Sequence, residues 1–98
     1  MSHLPSLRGV HKAAERLNGL TRVTPLEYNK RLSDLIQATV FLKREDLQQV
    51  RSFKIRGAYN KISSLNKKDL QSGIVCASAG NHAQGFAFSC QKLEIKGE

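Results

Sequence analysis

The sequence predicts an α/β fold, in which an open parallel sheet is flanked by helices. Three observations lead to this prediction: two segments carry apolar residues at helical spacing, a short apolar run lies between them, and a β-branched stretch precedes the first. Helices that alternate with strands in this order are typical of βαβ units with right-handed crossovers. A chain of 98 residues holds one domain at most.

The first predicted element is an amphipathic helix near the start of the chain. Its apolar residues are spaced three and four apart, at Leu7, Val10, Ala14 and Leu17. Asn18-Gly19 is a typical helix stop. Thr24-Pro25-Leu26 then predicts a connecting loop, because proline biases the residue before it toward an extended conformation. A short helical turn is predicted from Leu32 to Gln37.

The remaining elements follow from composition and periodicity. Thr39 to Leu42 is β-branched and aromatic enough to predict a strand, and Gly73 to Ala77 predicts a parallel strand buried on both faces. Two helices are predicted from apolar residues at offsets i, i+3, i+4, i+7 and i+10, which form a one-sided stripe only in a helix. These residues are Ile55, Ala58, Tyr59, Ile62 and Leu65 in the first helix, and Ala83, Phe86, Ala87, Cys90 and Leu93 in the second.

Two strands are too few to close the core of an open sheet. The next strand is expected to begin at residues 95–98, where the sequence ends. We therefore interpret residues 1–98 as a truncated part of a larger domain, in preference to a complete domain.

Composition limits the classes of function. The net charge of +8 is compatible with a basic nucleic-acid-binding module, but lysines and arginines are spread along the chain and few aromatics are interleaved. No stretch approaches the roughly 18 to 20 apolar residues that cross a bilayer. We expect a cytoplasmic protein that binds neither membrane nor nucleic acid. Cys76 and Cys90 form no CxxC pair, so we expect reduced thiols and no metal site.

The first candidate site is the loop Ser78-Ala79-Gly80-Asn81-His82, which leads from the predicted strand at Gly73 to Ala77 into the last helix. Open parallel sheets bind ligands at the carboxyl ends of their strands. The N-terminus of a helix presents unpaired N–H groups that stabilise a carboxylate or phosphate. A structural alternative is that Asn81 caps the helix, with Gln84 completing a capping box.

The second candidate site is Lys54, at the start of the helix that follows the first predicted strand. Phe53 and Ile55 flank it, and a helix N-terminus disfavours positive charge. A lysine amine held neutral is a nucleophile that forms a Schiff base with an aldehyde cofactor. The alternative is that Lys54 is an ordinary solvated lysine on a helix.

The two segments together resemble a known family. Ser-Phe-Lys-Ile-Arg-Gly-Ala at residues 52–58 and Ser-Ala-Gly-Asn-His-Ala-Gln-Gly at residues 78–85 are similar to the signature segments of the serine/threonine dehydratases, which are fold-type II pyridoxal-phosphate (PLP) enzymes. Thr24-Pro25-Leu26 and Leu42 to Gln48 also resemble that family. The resemblance extends from Leu7 to Leu93. It implies a tryptophan synthase β-like PLP fold, with residues 1–98 as the N-terminal part of the catalytic domain.

The resemblance also implies roles for individual residues. Lys54 would hold PLP covalently and later remove the α-proton of the substrate, and Phe53 would pack against the pyridine ring. Asn81 would reach the phenolic oxygen of the cofactor. The substrate carboxylate would bind the loop formed by Ser78, Ala79, Gly80, Asn81 and His82.

The implied reaction converts L-threonine to 2-oxobutanoate and ammonia, the first step of isoleucine biosynthesis, in an enzyme expected to be homo-oligomeric at full length. Val50-Arg51 favours the biosynthetic branch of the family. A catabolic serine/threonine dehydratase, a serine racemase-like enzyme and an enzyme acting on diaminopropionate remain alternatives. The glycine-rich phosphate cup of the family would lie beyond Glu98, so we expect the 98 residues alone to be inactive.

Overall fold

The computed structural model describes residues 4–98. Helices and short strands follow one another along the chain. In order, they are α1 (Leu7–Leu17), β1 (Leu26–Tyr28), α2 (Lys30–Ile36), β2 (Phe41–Lys43), a 3-10 turn (Glu45–Leu47), α3 (Lys54–Ser63), α4 (Lys67–Leu70) and α5 (Asn81–Leu93). None of the helices within residues 4–98 combines the length and the apolar content that crossing a bilayer needs.

Helix α1 has the bounds that the sequence predicts. It begins at Leu7 because the hydroxyl of Ser6 accepts a hydrogen bond from the Gly9 N–H at 3.1 Å. Most of its apolar stripe is exposed. Only Leu17 is buried, whereas Leu7 is 73% exposed and Val10 is 59% exposed. Periodicity predicts a helix correctly here, but no described element covers the start of the stripe.

Strands β1 and β2 form an antiparallel pair, with Leu26 opposite Lys43 and Tyr28 opposite Phe41. The predicted loop at Thr24-Pro25-Leu26 is therefore corrected to the start of a strand, and the predicted strand at 39–42 does not enter a parallel sheet. The carbonyl of Pro25 accepts a hydrogen bond from the Arg44 N–H at 3.0 Å. Pro25 immediately precedes β1 and lies outside the strand, so its missing N–H does not prevent the pairing of Leu26–Tyr28.

Parallel pairing occurs at residues 74–76 and 96–98, where the sequence predicts it. Ile74 pairs with Gly97, and the N–H of Cys76 donates to the carbonyl of Glu98 at 2.9 Å. Helix α5 forms the crossover between these segments. The predicted burial on both faces is wrong, because alternate residues of an extended segment face opposite sides. Ile74 packs against the core, whereas Val75 is 79% exposed on the side that no described element covers.

Helices α3 and α5 pack against each other and form the core. The paired apolar stripes predicted for these helices are largely confirmed, since the buried residues are Ile55, Ala58, Ile62, Phe86 and Cys90. Two positions differ from the prediction. Ala87 is exposed on α5, and Leu65 lies beyond the end of α3 at Ser63. This helix pair places the starts of α3 and α5, where both candidate sites lie.

Candidate active site

A cleft of about 410 Å³ lies between α3, α5 and the extended segment at residues 74–76. Lys54 and Phe53 line it from the start of α3, and His82 lines it from the start of α5. Apolar side chains, among them Ile74 and Phe86, line the cleft beside Lys54 and His82. The volume is within the usual range for small-molecule sites. The structure thus brings residues of both predicted segments to one cleft.

Lys54 is the first residue of α3. Its N–H donates to the hydroxyl of the buried Ser52 at 3.3 Å, which fixes the backbone at this point. Its Nζ lies 5.7 Å from the centroid of the Phe53 ring, and Phe53 itself is 60% exposed. Among residues 4–98, no carboxylate or other acceptor binds Nζ of Lys54. The amine is therefore accessible on the cleft wall beside an aromatic face.

The loop before α5 is shaped by Ser78. Its hydroxyl accepts hydrogen bonds from the N–H groups of Gly80 and Ala83, both at 3.3 Å. The alternative in which Asn81 caps the helix is wrong, because Asn81 is already the first helical residue and Gly80 is the N-cap. Within residues 4–98, the side-chain amide of Asn81 has no hydrogen-bond partner. It remains available for a ligand.

The predicted loop residues do not all lie in the cleft. His82 lines it, whereas Ser78, Ala79, Gly80 and Asn81 lie outside its lining, in the exposed loop and at the exposed start of α5. The side chain of Ser78 is engaged with backbone N–H groups, so the loop offers mainly its backbone and the Asn81 amide. The roles predicted for these residues stay predictions.

Sequence reasoning missed an ion pair that braces α3 from the N-terminal side. Arg56 donates from Nε and Nη2 to the two carboxylate oxygens of Glu45, at 2.7 and 2.9 Å. Thr24 donates its hydroxyl to Glu45 at 2.6 Å. The charged run from Lys43 to Asp46 predicts only the end of a strand. The presence of Arg56 two residues after Lys54 is the only local sign of this ion pair. The spacing of nearby residues does not show that Glu45 is its partner.

These bonds change the acidity of Glu45. The Arg56 guanidinium is the largest cause, and together with the smaller contributions of Thr24 and Gln48 it lowers the Glu45 pKa from 4.5 to about 2 against the opposing effect of burial. A carboxyl group whose pKa is lowered by folding stabilises the protein above its unfolded pKa. That stabilisation is lost as the pH falls from about 4.5 toward 2.

We expect Glu45→Gln to reduce the free energy of unfolding at pH 7 by about 2 kcal/mol, because the ion pair with Arg56 is lost. The loss is smaller than the pKa shift alone implies, because solvent around the partly exposed Arg56 screens part of the ion pair. The difference from wild type is expected to shrink as the pH falls between 4.5 and 2. Thermal unfolding midpoints across this range measure it. Asp34→Asn is the matched control, because its pair with Lys30 is exposed on both sides. A constant difference at every pH contradicts the assignment.

Between residues 4 and 98, no three or more His, Cys, Asp or Glu side chains are grouped so that they would hold a metal ion. Cys76 is half-buried and Cys90 is buried, and both are free thiols. Burial raises the pKa of the Cys90 thiol.

Comparisons with known proteins agree on one family. Residues 17–98 match the family described as "Pyridoxal-phosphate dependent enzyme". The chain is 52% identical over 98 residues to the protein named "L-threonine dehydratase biosynthetic IlvA" of Mycobacterium tuberculosis, with 98% of this chain and 23% of the relative covered. The chain therefore spans about a quarter of the length of this curated relative.

Two solved structures have similar folds. The crystal structure of the T.th. threonine deaminase superposes with a TM-score of 0.82 at 38% identity, over 96% of this chain and 33% of the other. The serine racemase of Dictyostelium discoideum superposes with a TM-score of 0.86 at 33% identity, over 94% of this chain and 30% of the other. The predicted fold class, an open α/β sheet of the fold-type II PLP enzymes, is confirmed by these similarities.

Proposed function

Because the chain belongs to the family of pyridoxal-phosphate dependent enzymes, we propose that the whole protein dehydrates and deaminates L-threonine to 2-oxobutanoate and ammonia. Residues 1–98 would form the N-terminal part of its catalytic domain. The observation that carries this proposal is the meeting of Lys54 and His82, from two separate segments, on one cleft. The family match over residues 17–98 favours an enzyme over a basic nucleic-acid-binding module.

The residues at the cleft fit the aldehyde and the ring of PLP. Lys54 offers an amine without a competing acceptor among residues 4–98, and Phe53 offers an exposed aromatic face 5.7 Å from that amine. Asn81, which lies outside the cleft lining, offers a free amide at the start of α5. When bound, PLP would supply an electron sink for the electron pair that remains on the substrate Cα after its proton is removed.

The residues around the cleft would then divide the work of binding and proton transfer. Nζ of Lys54 would hold the cofactor as a nucleophile and later take the proton from the substrate Cα. The N–H groups at the start of α5 and the Asn81 amide would bind the substrate carboxylate, because a helix N-terminus favours an anion. The apolar wall that includes Ile74 and Phe86 would exclude water from the reacting atoms.

The first test locates the bond to the cofactor. The whole protein is incubated with PLP, reduced with borohydride and digested, and the modified lysine is identified by mass spectrometry. We expect the modification on Lys54. Lys61 also lines the cleft and serves as the internal comparison. A modification on Lys61, or none on any cleft lysine, would refute the proposal.

The choice of substrate rests on the relatives. Proteins named biosynthetic L-threonine dehydratase are 50–55% identical to this chain, which favours threonine and an isoleucine-biosynthetic role. A serine racemase with a TM-score of 0.86 keeps serine as the second candidate. Assays with threonine, serine and diaminopropionate separate them, and 2-oxobutanoate from threonine is the product we expect. Faster turnover of serine would favour the second candidate.

The same proposal extends to the cellular location and the oligomeric state of the whole protein, and to the activity of residues 1–98 alone. We infer a cytoplasmic homo-oligomer, as expected for a biosynthetic enzyme that takes a small amino acid. The 98 residues alone would not turn over threonine, because Phe53 is 60% exposed and Val75 is 79% exposed, so the cleft is open on one side. An open cleft leaves the reacting atoms in water, where fixed dipoles stabilise developing charge poorly.

A further inference from the structure

Gly85 lies buried in the interior of α5, a position where glycine weakens a helix relative to alanine. The structure shows why a larger residue does not fit. A Cβ atom built on Gly85 would lie 2.9 Å from both the carbonyl carbon and the carbonyl oxygen of Lys54. It would also lie 3.1 Å from the N atom of Ile55. The backbone of α5 thus packs directly on the backbone of Lys54.

The atoms that a side chain would meet belong to the main chain, so no rotamer change removes the clash. The two helices are also held in place around this contact. Ile55 is 0% exposed beside Lys54, and Arg56 is bound to Glu45. On α5, the fully buried Ser89 donates its hydroxyl to the carbonyl of Gly85 at 2.7 Å. A methyl group at position 85 would therefore displace one helix from the other.

Gly57 provides a contrast within the same helix pair. It lies in α3, yet a Cβ built there meets no atom within 4 Å. Close backbone approach is therefore a property of Gly85 and is not shared by this second helical glycine.

The contact bears on the site because of its position on α5. Gly85 follows Asn81 by four residues and His82 by three, and such residues lie on one face of a helix. The point at which α5 rests on Lys54 therefore also sets the distance from Lys54 to Asn81 and His82. We propose that Gly85 is a positioning residue for Lys54, which holds its amine at the correct distance from the ligand-binding start of α5. This proposal rests on the proposed function of Lys54.

The expected effect is kinetic. A shift of several tenths of an ångström is needed to relieve a contact of 2.9 Å. Misplacement of a reacting group by about 1 Å is able to lower a rate about 100-fold. For Gly85→Ala we expect a fall of about 10- to 100-fold in the rate of PLP attachment to Lys54 and in kcat for threonine. KM is expected to change much less, because the groups that bind the substrate move together on α5.

The experiment compares Gly85→Ala and Ala87→Gly in the whole protein. Ala87 is exposed on the same helix, so Ala87→Gly weakens α5 without touching Lys54. The rate of attachment is measured by borohydride trapping at timed intervals, with the modified peptide quantified by mass spectrometry. The control is expected to keep the wild-type attachment rate and the wild-type kcat.

Ser89→Ala is a second variant that adds no atoms and removes the bond to the Gly85 carbonyl. If Gly85→Ala does not fold, a fall of roughly three-fold in the attachment rate of Ser89→Ala supports the proposal. Wild-type rates in every folded variant overturn the role of Gly85 while leaving the proposed function intact. Absence of attachment to Lys54 in the wild-type protein overturns the proposed function and this inference together.

Discussion

Lys54→Ala is expected to lower the turnover of threonine by the whole protein more than about 10³-fold, because both cofactor attachment and proton removal are assigned to one amine. The absorbance band of the lysine-bound cofactor is expected to disappear with it. Steady-state kinetics and absorbance spectra of the purified variant, with PLP added in excess, measure the two effects. If turnover and the absorbance band are lost together, the effect comes from the missing cofactor bond. Removal of one positive charge alone would not abolish the band.

Lys92→Ala is the matched control for this substitution. Nζ of Lys92 lies 5.8 Å from the centroid of the Phe88 ring, and Nζ of Lys54 lies 5.7 Å from that of Phe53. The two lysines thus make the same kind of contact with an aromatic ring, but Lys92 is outside the cleft lining. We expect Lys92→Ala to retain turnover and the absorbance band. An unchanged band in Lys54→Ala would remove Lys54 from its assigned role.

Ile55→Ala is expected to give the largest loss of stability, about 3 kcal/mol, because its side chain is 0% exposed. The substitution removes apolar contacts and leaves a cavity between α3 and α5, next to Lys54. The midpoint of thermal unfolding of the whole protein measures the loss. Leu35→Ala is the control, since Leu35 is 74% exposed and is expected to change the midpoint little. Equal midpoints for the two variants would contradict the assignment of Ile55 to the core.

Helices α1, α3 and α5 were predictable from this sequence because their signals are local, whereas the four-residue α4 was not predicted. The spacing of Ile55, Ala58 and Ile62 on α3 predicts which face is buried without knowledge of any partner. Strand pairing was less predictable. The sequence around Leu26–Tyr28 indicates a loop, because a three-residue strand after a proline has little pattern of its own. Its identity as a strand depends on Phe41–Lys43, which lies on the far side of α2.

The candidate site shows the same division between local and distant information. The two segments that hold Lys54 and His82 were identifiable, and their meeting on one cleft follows from the packing of α3 on α5. The hydrogen bonds that Ser78 accepts from Gly80 and Ala83, and the close approach of Gly85, were not predicted. Each depends on distances between backbone groups that residue types do not specify.

The hydrogen bonds of Ser78 have a consequence for affinity. Since its hydroxyl already accepts from the N–H groups of Gly80 and Ala83, two hydrogen bonds within the chain support the observed loop shape without a ligand. Ordering a mobile loop subtracts from the free energy of association, and a preorganised loop avoids most of that entropic loss. A small carboxylate, the ligand proposed for this loop, offers few atoms for contact and would gain most from a preorganised loop.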